Sequence, residues 1–467
     1  MFDLVISNGL VYYNGGLQTL DLGISRGKIA ALGTAGSLPQ PKETLDAKRS
    51  WILPGFIDSH VHLRYPAQPD YEDLITGTGA AAAGGVTTLV EMPISSPSVY
   101  NGDILTQRAL LFEKEAFVDF ALLAAPGKGL DFDTPSNIAS SCEAGAVGYK
   151  IFMTPGASRG REDQYKGLCQ ENDADIYAVF REVAKTGLSC VVHCEDPALL
   201  NYFVQAVMRD HPNPPPPFHS QMRPKFLEIY AVKKTLALAE ETRVHVHLAH
   251  LSTPEAVQVA VETREKGRVN VTCETCPHYL AFDSSALERC GPYAKINPPL
   301  REKEDVEGLW ILLNKGHIDA VGSDHANFPA QVKEPGWTNI LQASAGAPGI
   351  EVMGPLILSS VLEGRLSVVR AMEVLALNPA RLFGIADRKG EIKIGADADL
   401  VLFDPDGKWE VGSDKFFTKL PGGMRLWSGL RFQGKIIGTM VRGQTVYWKG
   451  EIVGRLGGGR FVKPTRA

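Results

Sequence analysis

The sequence lacks any run near the roughly 18 uninterrupted apolar residues of a membrane span, which excludes a helical membrane protein. Its first residues, MFDLVISNGLVYYNGG, show no basic segment leading into a long apolar core, so no signal peptide is read. Positive charge is not in excess: 48 Lys and Arg stand against 53 Asp and Glu, a formal charge of -5. That excludes a basic surface for nucleic acid or an anionic membrane. Cysteine is sparse, with seven residues scattered from Cys142 to Cys290, an odd number. No disulfide framework is implied, and a reducing cytoplasm is expected. No glycine-rich phosphate turn follows the first apolar run, which argues against a doubly wound nucleotide-binding sheet.

What is present is the composition of an ordinary soluble globular protein, 44% hydrophobic and 22% charged over 467 residues. That length calls for two or three domains, or one large barrel with an appendage. Residues 1–51 read as short alternating strands broken by Gly and Asn turns, as in FDLVISNG and LDLGISRGKIAALG. Residues 387–467 repeat that texture in ADLVLFDPDGKWEV and GKIIGTMVRGQTVYWKGEIV. Between them, residues 52–386 alternate strand-like runs with helical patterns such as 174–187 and 223–241. Such alternation predicts a parallel sheet.

The middle region holds eight strand candidates: WILPGFIDSH, VTTLVEMP, VDFALLAAP, AVGYKIFM, LSCVVHCED, RVHVHLAHLS, VNVTCETCPHY and HIDAVGSDH. Nearly all turn polar or ionisable at their C-terminal ends, where a (β/α)8 barrel assembles its active site. The expected architecture is an α/β (β/α)8 barrel, with a small β-sandwich built from both chain ends. The proline run at 212–217 reads as a loop, and the glycine-rich tail GRLGGGRFVKPTRA as an extended segment that could pack on a neighbouring subunit.

In WILPGFIDSHVHLRYP, Asp58, His60 and His62 are spaced by two and share one face of the strand. Two imidazoles so placed can both reach one metal ion about 2.0–2.1 Å away, although an isolated pair can equally be packed and hydrogen-bonded. The other strand ends add His193, His250 and Asp324. Four imidazoles and a carboxylate suit Zn²⁺, with Mn²⁺, Fe²⁺ or Co²⁺ as alternatives. Strand four brings Lys150 in place of an acid. A neutral lysine amine can capture carbon dioxide and become a carbamate anion that bridges two metals; the bland alternative is an ammonium reaching solvent. His245 and His247 fall within strand six, and packing is expected of them. Cys273 and Cys276 form a CxxC without a second pair, so core cysteines are expected there.

Over nearly its whole length the chain resembles the cyclic-amide branch of the amidohydrolase superfamily: dihydroorotase, allantoinase, and hydantoinase or dihydropyrimidinase. The resemblance rests on PGFIDSHVHLR, GTGAAAAGGVTTLVEMP, GYKIF, VVHCED, HLAHLST, CPHYL, INPPLR, GSDHA, NPARLFGI and GADADLVLFDP, in that order. It implies two divalent metals bridged by carboxylated Lys150 and a hydroxide that attacks a ring amide. His60, His62 and Asp324 would bind the more buried ion, His193 and His250 the other, with Asp324 also the proton carrier. Asp58 would orient a ligand from behind. Arg64, Asn297, His278 and Cys276 are the candidate substrate contacts.

Among family substrates, dihydroorotate falls third. Arg64 is present, but Ile94 and Asn327-Phe328 stand where its carboxylate's other partners would be. Thr154 and Pro155 replace the tyrosine of hydantoinases, and FMTPG with EMPISSP looks like the allantoinase pattern. Allantoinase is therefore expected first and hydantoinase or dihydropyrimidinase second. A non-catalytic scaffolding homologue is disfavoured because all six ligand positions are filled. Relatives are commonly dimers or tetramers, so a homodimer or homotetramer is expected, with a small cyclic amide as the only other partner.

Overall fold

The computed structural model describes residues 1–131, 133–155, 162–412 and 415–465. The chain opens with strands β1 (Leu4–Tyr13), β2 (Gly16–Ser25), β3 (Lys28–Gly33), β4 (Glu43–Asp46) and β5 (Trp51–Pro54). Asn14-Gly15 and Arg26-Gly27 all have positive φ, the backbone that a two-residue hairpin turn requires. Eight strands follow: β6 (Phe56–Val61), β7 (Val86–Glu91), β8 (Asp119–Leu122), β9 (Gly148–Phe152), β10 (Ser189–His193), β11 (His245–Leu248), β12 (Val271–Thr275) and β13 (Ala320–Val321). The chain closes with β14 (Leu400–Glu410), β15 (Arg431–Val441), β16 (Gln444–Trp448) and β17 (Glu451–Ile452).

The run Trp51–His60, read as one strand, is two. Pro54 cannot donate to a ladder, and a Cβ on Gly55 would lie 2.2 Å from the Thr87 hydroxyl. The chain therefore changes sheets at that point: β5 pairs with β1 and β14, while β6 pairs with β7.

Strands β6 to β8 form one parallel run and β9 to β13 another. Parallel bridges Ala124↔Tyr149 and Val61↔His325 join the two runs at both edges, closing the barrel. Helices Leu74–Ala83, Gly102–Glu115, Thr134–Ala144, Asp173–Ala184, Lys225–Thr242, Pro254–Glu265, Lys303–Asn314 and Ile350–Leu362 follow the eight strands in turn. The expected (β/α)8 architecture is the observed one. Asp73, Asn101, Asn172, Asp196 and Thr253 cap helix starts through their side chains, each worth about 1 kcal/mol. These caps fix where strand-end loops finish, and so where the site-bearing segments sit.

The chain ends meet in one nine-stranded sheet, with β5 and β14 adjacent at its centre. Alternation decides its two faces. Ile52, Leu400, Leu402 and Met440 turn into a core shared with Ile6, Val11, Leu22 and Ile24. Leu53, Val401, Phe403 and Val441 turn the other way, into the barrel's core. This gives the sandwich-like layer expected from the two end segments.

In its described part the glycine-rich tail packs on its own chain. Phe120 donates its N–H to Arg460 and accepts from Val462, so the tail lies along β8 of its own barrel. Arg466 and Ala467 lie outside the described residues. No disulfide joins any of the seven cysteines. Among the described residues, no helix is long and apolar enough to cross a membrane.

Candidate active site

The C-terminal mouth of the barrel gathers the predicted residues. Asp58 Oδ1 accepts from the backbone N–H of His60 at 3.1 Å and of Ser323 at 2.9 Å. His62 N–H donates to the His325 carbonyl at 2.9 Å. These bonds lace the end of β6 to the segment after β13, setting Asp324 opposite His60 and His62. Asp324 Oδ1 lies 3.5 Å from His60 Nε2 and 3.2 Å from His62 Nε2. On the next strands, His193 Nδ1 lies 3.0 Å from His250 Nε2. The His60 and His250 rings, 5.1 Å apart between centroids, join the two groups.

Three of these residues hold left-handed backbone: Arg64 (φ 57°), His250 (φ 39°) and Asp324 (φ 47°). For a residue with a Cβ this conformation costs about 1–2 kcal/mol. The cost falls at positions that aim side chains inward, the pattern of a site whose geometry is imposed by its surroundings.

Two buried glutamates fix the tautomers. Glu274 Oε1 takes the Nδ1–H of His60 at 2.8 Å, leaving Nε2 bare toward Asp324. Glu195 Oε2 takes the Nε2–H of His193 at 2.8 Å, leaving Nδ1 bare toward His250. A bare nitrogen facing a carboxylate is repulsive unless a cation lies between them. Burial pushes His60 down to about 4, and His62 and His250 well below the usual imidazole range. Neutral rings with free lone pairs are what a divalent ion requires. Ligands 2.0–2.1 Å from a tetrahedral ion stand roughly 3.3–3.4 Å from one another, close to the separations found here. The side chains of His60, His62 and Asp324 fit such an ion.

Lys150 is wholly buried, with its Nζ 4.8 Å from the Phe152 ring centroid and without a hydrogen-bond partner among the described residues. Burial lowers its amine to about 8, with Asp324 and Glu274 opposing the shift. It does not reach solvent, so an ordinary exposed ammonium is not what occupies this position. A neutral amine able to take up carbon dioxide fits it.

The remaining candidates are arranged around this centre. His278 is buried with Nε2 unpartnered among the described residues, and burial lowers it to about 4. Asn297 Oδ1 is also buried and unpartnered. The Arg64 guanidinium lies 4.7 Å from the Phe328 ring centroid, with Nε unpartnered. Cys276 is buried, and burial pushes its thiol well above the usual range. In the stretch KIFMTPGAS, residues 156–158 lie outside the described residues. His247 is buried against Thr272 Oγ1 at 2.8 Å and Glu274 Oε2 at 3.5 Å, packed below the mouth.

Asp58 holds backbone, and the carboxylate on a histidine ring is Glu274, which sequence inspection passed over, as it did Glu195. Each had a signal. Glu195 is two residues past His193 and shares its face, and Glu274 is a lone acid inside the buried strand VTCET. Glycine at 322 is explained by the same group: a Cβ there would lie 2.6 Å from Glu274 Oε2 and 2.7 Å from Ser59 Oγ.

A closed (β/α)8 barrel with an inward ring of imidazoles and a carboxylate at its C-terminal mouth defines the class of barrel hydrolases. The amidohydrolase family model matches residues 51–446, and the chain belongs to that family. It is 33% identical to the L-hydantoinase of Paenarthrobacter aurescens, covering 99% of this chain and 98% of that one. It is also 33% identical to the allantoinase of Rubrobacter xylanophilus, covering 100% and 98%. Among solved structures, the L-hydantoinase (dihydropyrimidinase) from Arthrobacter aurescens superposes with a TM-score of 0.90 at 31% identity, covering 99% of this chain and 100% of that chain. A dihydropyrimidinase from Brevibacillus agri superposes with a TM-score of 0.90 at 28% identity, covering 99% of both chains.

Proposed function

We propose that this amidohydrolase opens the ring of a small cyclic ureide by hydrolysing a ring amide, with allantoin the first choice. The observation that carries the reading is the convergence of His60, His62, Asp324, His193 and His250 around buried Lys150. His60, His62 and Asp324 would hold one divalent ion, His193 and His250 a second, and Lys150 as its carbamate would stand between them. Zn²⁺ suits the donors best, with Mn²⁺, Fe²⁺ or Co²⁺ as alternatives. Bound there, such ions make water acidic enough to ionise near neutral pH and polarise a carbonyl oxygen.

The chain's own residues do the rest. Asp324 accepts the proton of the attacking water and returns it to the ring nitrogen as the C–N bond breaks. The water oxygen ends in the new carboxylate, and the ring N–H, gaining that proton, leaves as NH2, with the second proton of the water released on ionisation of the acid. Cys276, kept protonated by burial, is not needed as a nucleophile. The unpartnered polar atoms of His278 and Asn297 support hydrogen bonding to a neutral ring.

Hydantoins or dihydropyrimidines are the second reading, favoured by the equal identity to an L-hydantoinase and by the structural neighbours. Dihydroorotate comes third, because the Arg64 guanidinium is placed over Phe328. The deciding experiment offers allantoin, hydantoin, dihydrouracil and dihydroorotate to metal-replete protein and follows ring opening of each. The expected result is a kcat/KM for allantoin at least tenfold above the others; a larger value for any other ring removes the first choice.

A pH dependence follows from Lys150. Only the neutral amine captures carbon dioxide, and with a pKa of about 8 its fraction rises from about 10% at pH 7 to about 90% at pH 9. Metal-free protein reactivated with Zn²⁺ at fixed dissolved carbon dioxide is expected to regain activity roughly ninefold faster at pH 9. A rate independent of pH would contradict the carbamate. Seven cysteines without a disulfide support a cytoplasmic setting. Helix Pro197–Asp210, which has no buried residue, and exposed Phe226 support a homodimer or homotetramer.

A further inference from the structure

Glu274 is wholly buried at the foot of the site, and its contacts span three barrel strands. Oε1 meets His60 Nδ1 at 2.8 Å and accepts from the His250 backbone N–H at 3.3 Å. Oε2 accepts from the Ser59 hydroxyl and lies 3.5 Å from His247 Nε2. Among the described residues, its ion-pair partners are only these two histidines, with no lysine or arginine. Glu195 is placed differently: it touches the His193 ring, but Arg223 pairs with the same oxygen. One glutamate has its charge balanced by a guanidinium; the other does not.

We infer that Glu274 is the positioning residue of the metal centre, holding the His60 ring with Nε2 inward while fixing the His250 backbone on the other side. The inference rests on the reading of the site as a two-ion centre. A carboxylate on the outer nitrogen of an imidazole fixes its orientation and strengthens it as a ligand. Charge argues in the same direction. Glu274 and Asp324, with a carbamate at Lys150, would bring three negative charges into one small volume around His60. The four positive charges of two divalent ions answer them, and an unbalanced Glu274 is part of what draws those ions in. Glu274 also spans both halves, one through a ring and the other through backbone, so its loss weakens both ions, whereas loss of Glu195 touches only the His193 side.

The test is titration of metal-free full-length protein with Co²⁺, followed by the cobalt absorption band, for wild type, Glu274→Gln, Glu274→Asp and Glu195→Gln. Expected is a 10–100-fold weaker Co²⁺ affinity in Glu274→Gln, an intermediate loss in Glu274→Asp, which keeps the charge but withdraws it from Nδ1, and a smaller loss in Glu195→Gln. Thermal unfolding of the metal-free proteins separates this from a purely structural role. Should Glu274→Gln fail to fold, Glu274→Asp carries the comparison. Wild-type affinity in a folded Glu274 variant, or an equal loss in Glu195→Gln, overturns the inference while leaving the two-ion centre intact. Wild-type protein that binds no Co²⁺ overturns both.

Discussion

Replacing Lys150 with alanine is expected to lower kcat for ring opening by roughly 10³-fold or more, with acetate or formate restoring part of it. Among the described residues Lys150 Nζ has no hydrogen bond to lose, so truncation strands no polar partner there. It leaves a buried cavity between Phe152 and the strand-end histidines. A short carboxylic acid can enter that cavity and present two oxygens where the carbamate's would be, which an ordinary structural lysine would not predict. The metal content of the variant should fall with its activity and recover with the added acid. A variant as active as wild type would show that the anion at position 150 is not part of the catalyst. A carbamate at position 150 would be a group that the chain alone cannot encode, which is why its removal and replacement is the most discriminating change.

The second large effect lies away from the chemistry. Lys389→Met is expected to destabilise the fold by ~3–5 kcal/mol at neutral pH. Lys389 Nζ lies 2.6 Å from Asp119 Oδ2, 2.5 Å from Asp399 Oδ2 and 3.1 Å from Asp397 Oδ2, in a buried cluster. The three aspartates lie close enough to have held a metal ion, but the ammonium already occupies their centre. Burial alone would push the ammonium down; the aspartates hold it above its ordinary value. Its stabilisation is therefore present throughout the neutral range and lost only as pH climbs beyond the ordinary lysine range. Without it, Asp119 at the start of β8 and Asp399 just before β14 repel across the junction of barrel and end sheet, with Arg442 their remaining cation. Chemical denaturation at pH 7 and pH 4 measures this. The loss should shrink at pH 4, where carboxylates begin to protonate and the repulsion fades. A variant within 0.5 kcal/mol of wild type at pH 7 would place the stability of the junction elsewhere.

Much of the barrel was legible because each strand announces itself twice, by an apolar run and by the polar residue that ends it. His193 and Asp324 could be placed at strand ends from spacing alone. The two helical patterns read at 174–187 and 223–241 fall within a few residues of helices Asp173–Ala184 and Lys225–Thr242. The break at Gly55 was not legible, since Trp51–Ile57 carries no polar side chain to mark it, and only the nearness of Thr87 shows why the chain must change sheets. Glu274 was invisible for a related reason. A lone acid in a buried strand has no local signal of its purpose, and its partners lie 24 to 215 positions away in sequence.

By itself, the sequence determined the class of fold, the alternation that turns alternate residues of the end sheet toward two cores, and the residue types able to bind metal. These are local properties, set by spacing along a strand and by the chemistry of each side chain. Only the tertiary structure decided which nitrogen of His60 and of His193 faces inward, that Lys150 is sealed from water, and that the Lys389 ammonium sits among the Asp119, Asp397 and Asp399 carboxylates. Those outcomes depend on charges brought together from distant strands, and in a low-dielectric interior a few ångströms of separation decide whether such charges repel, pair or call for a cation.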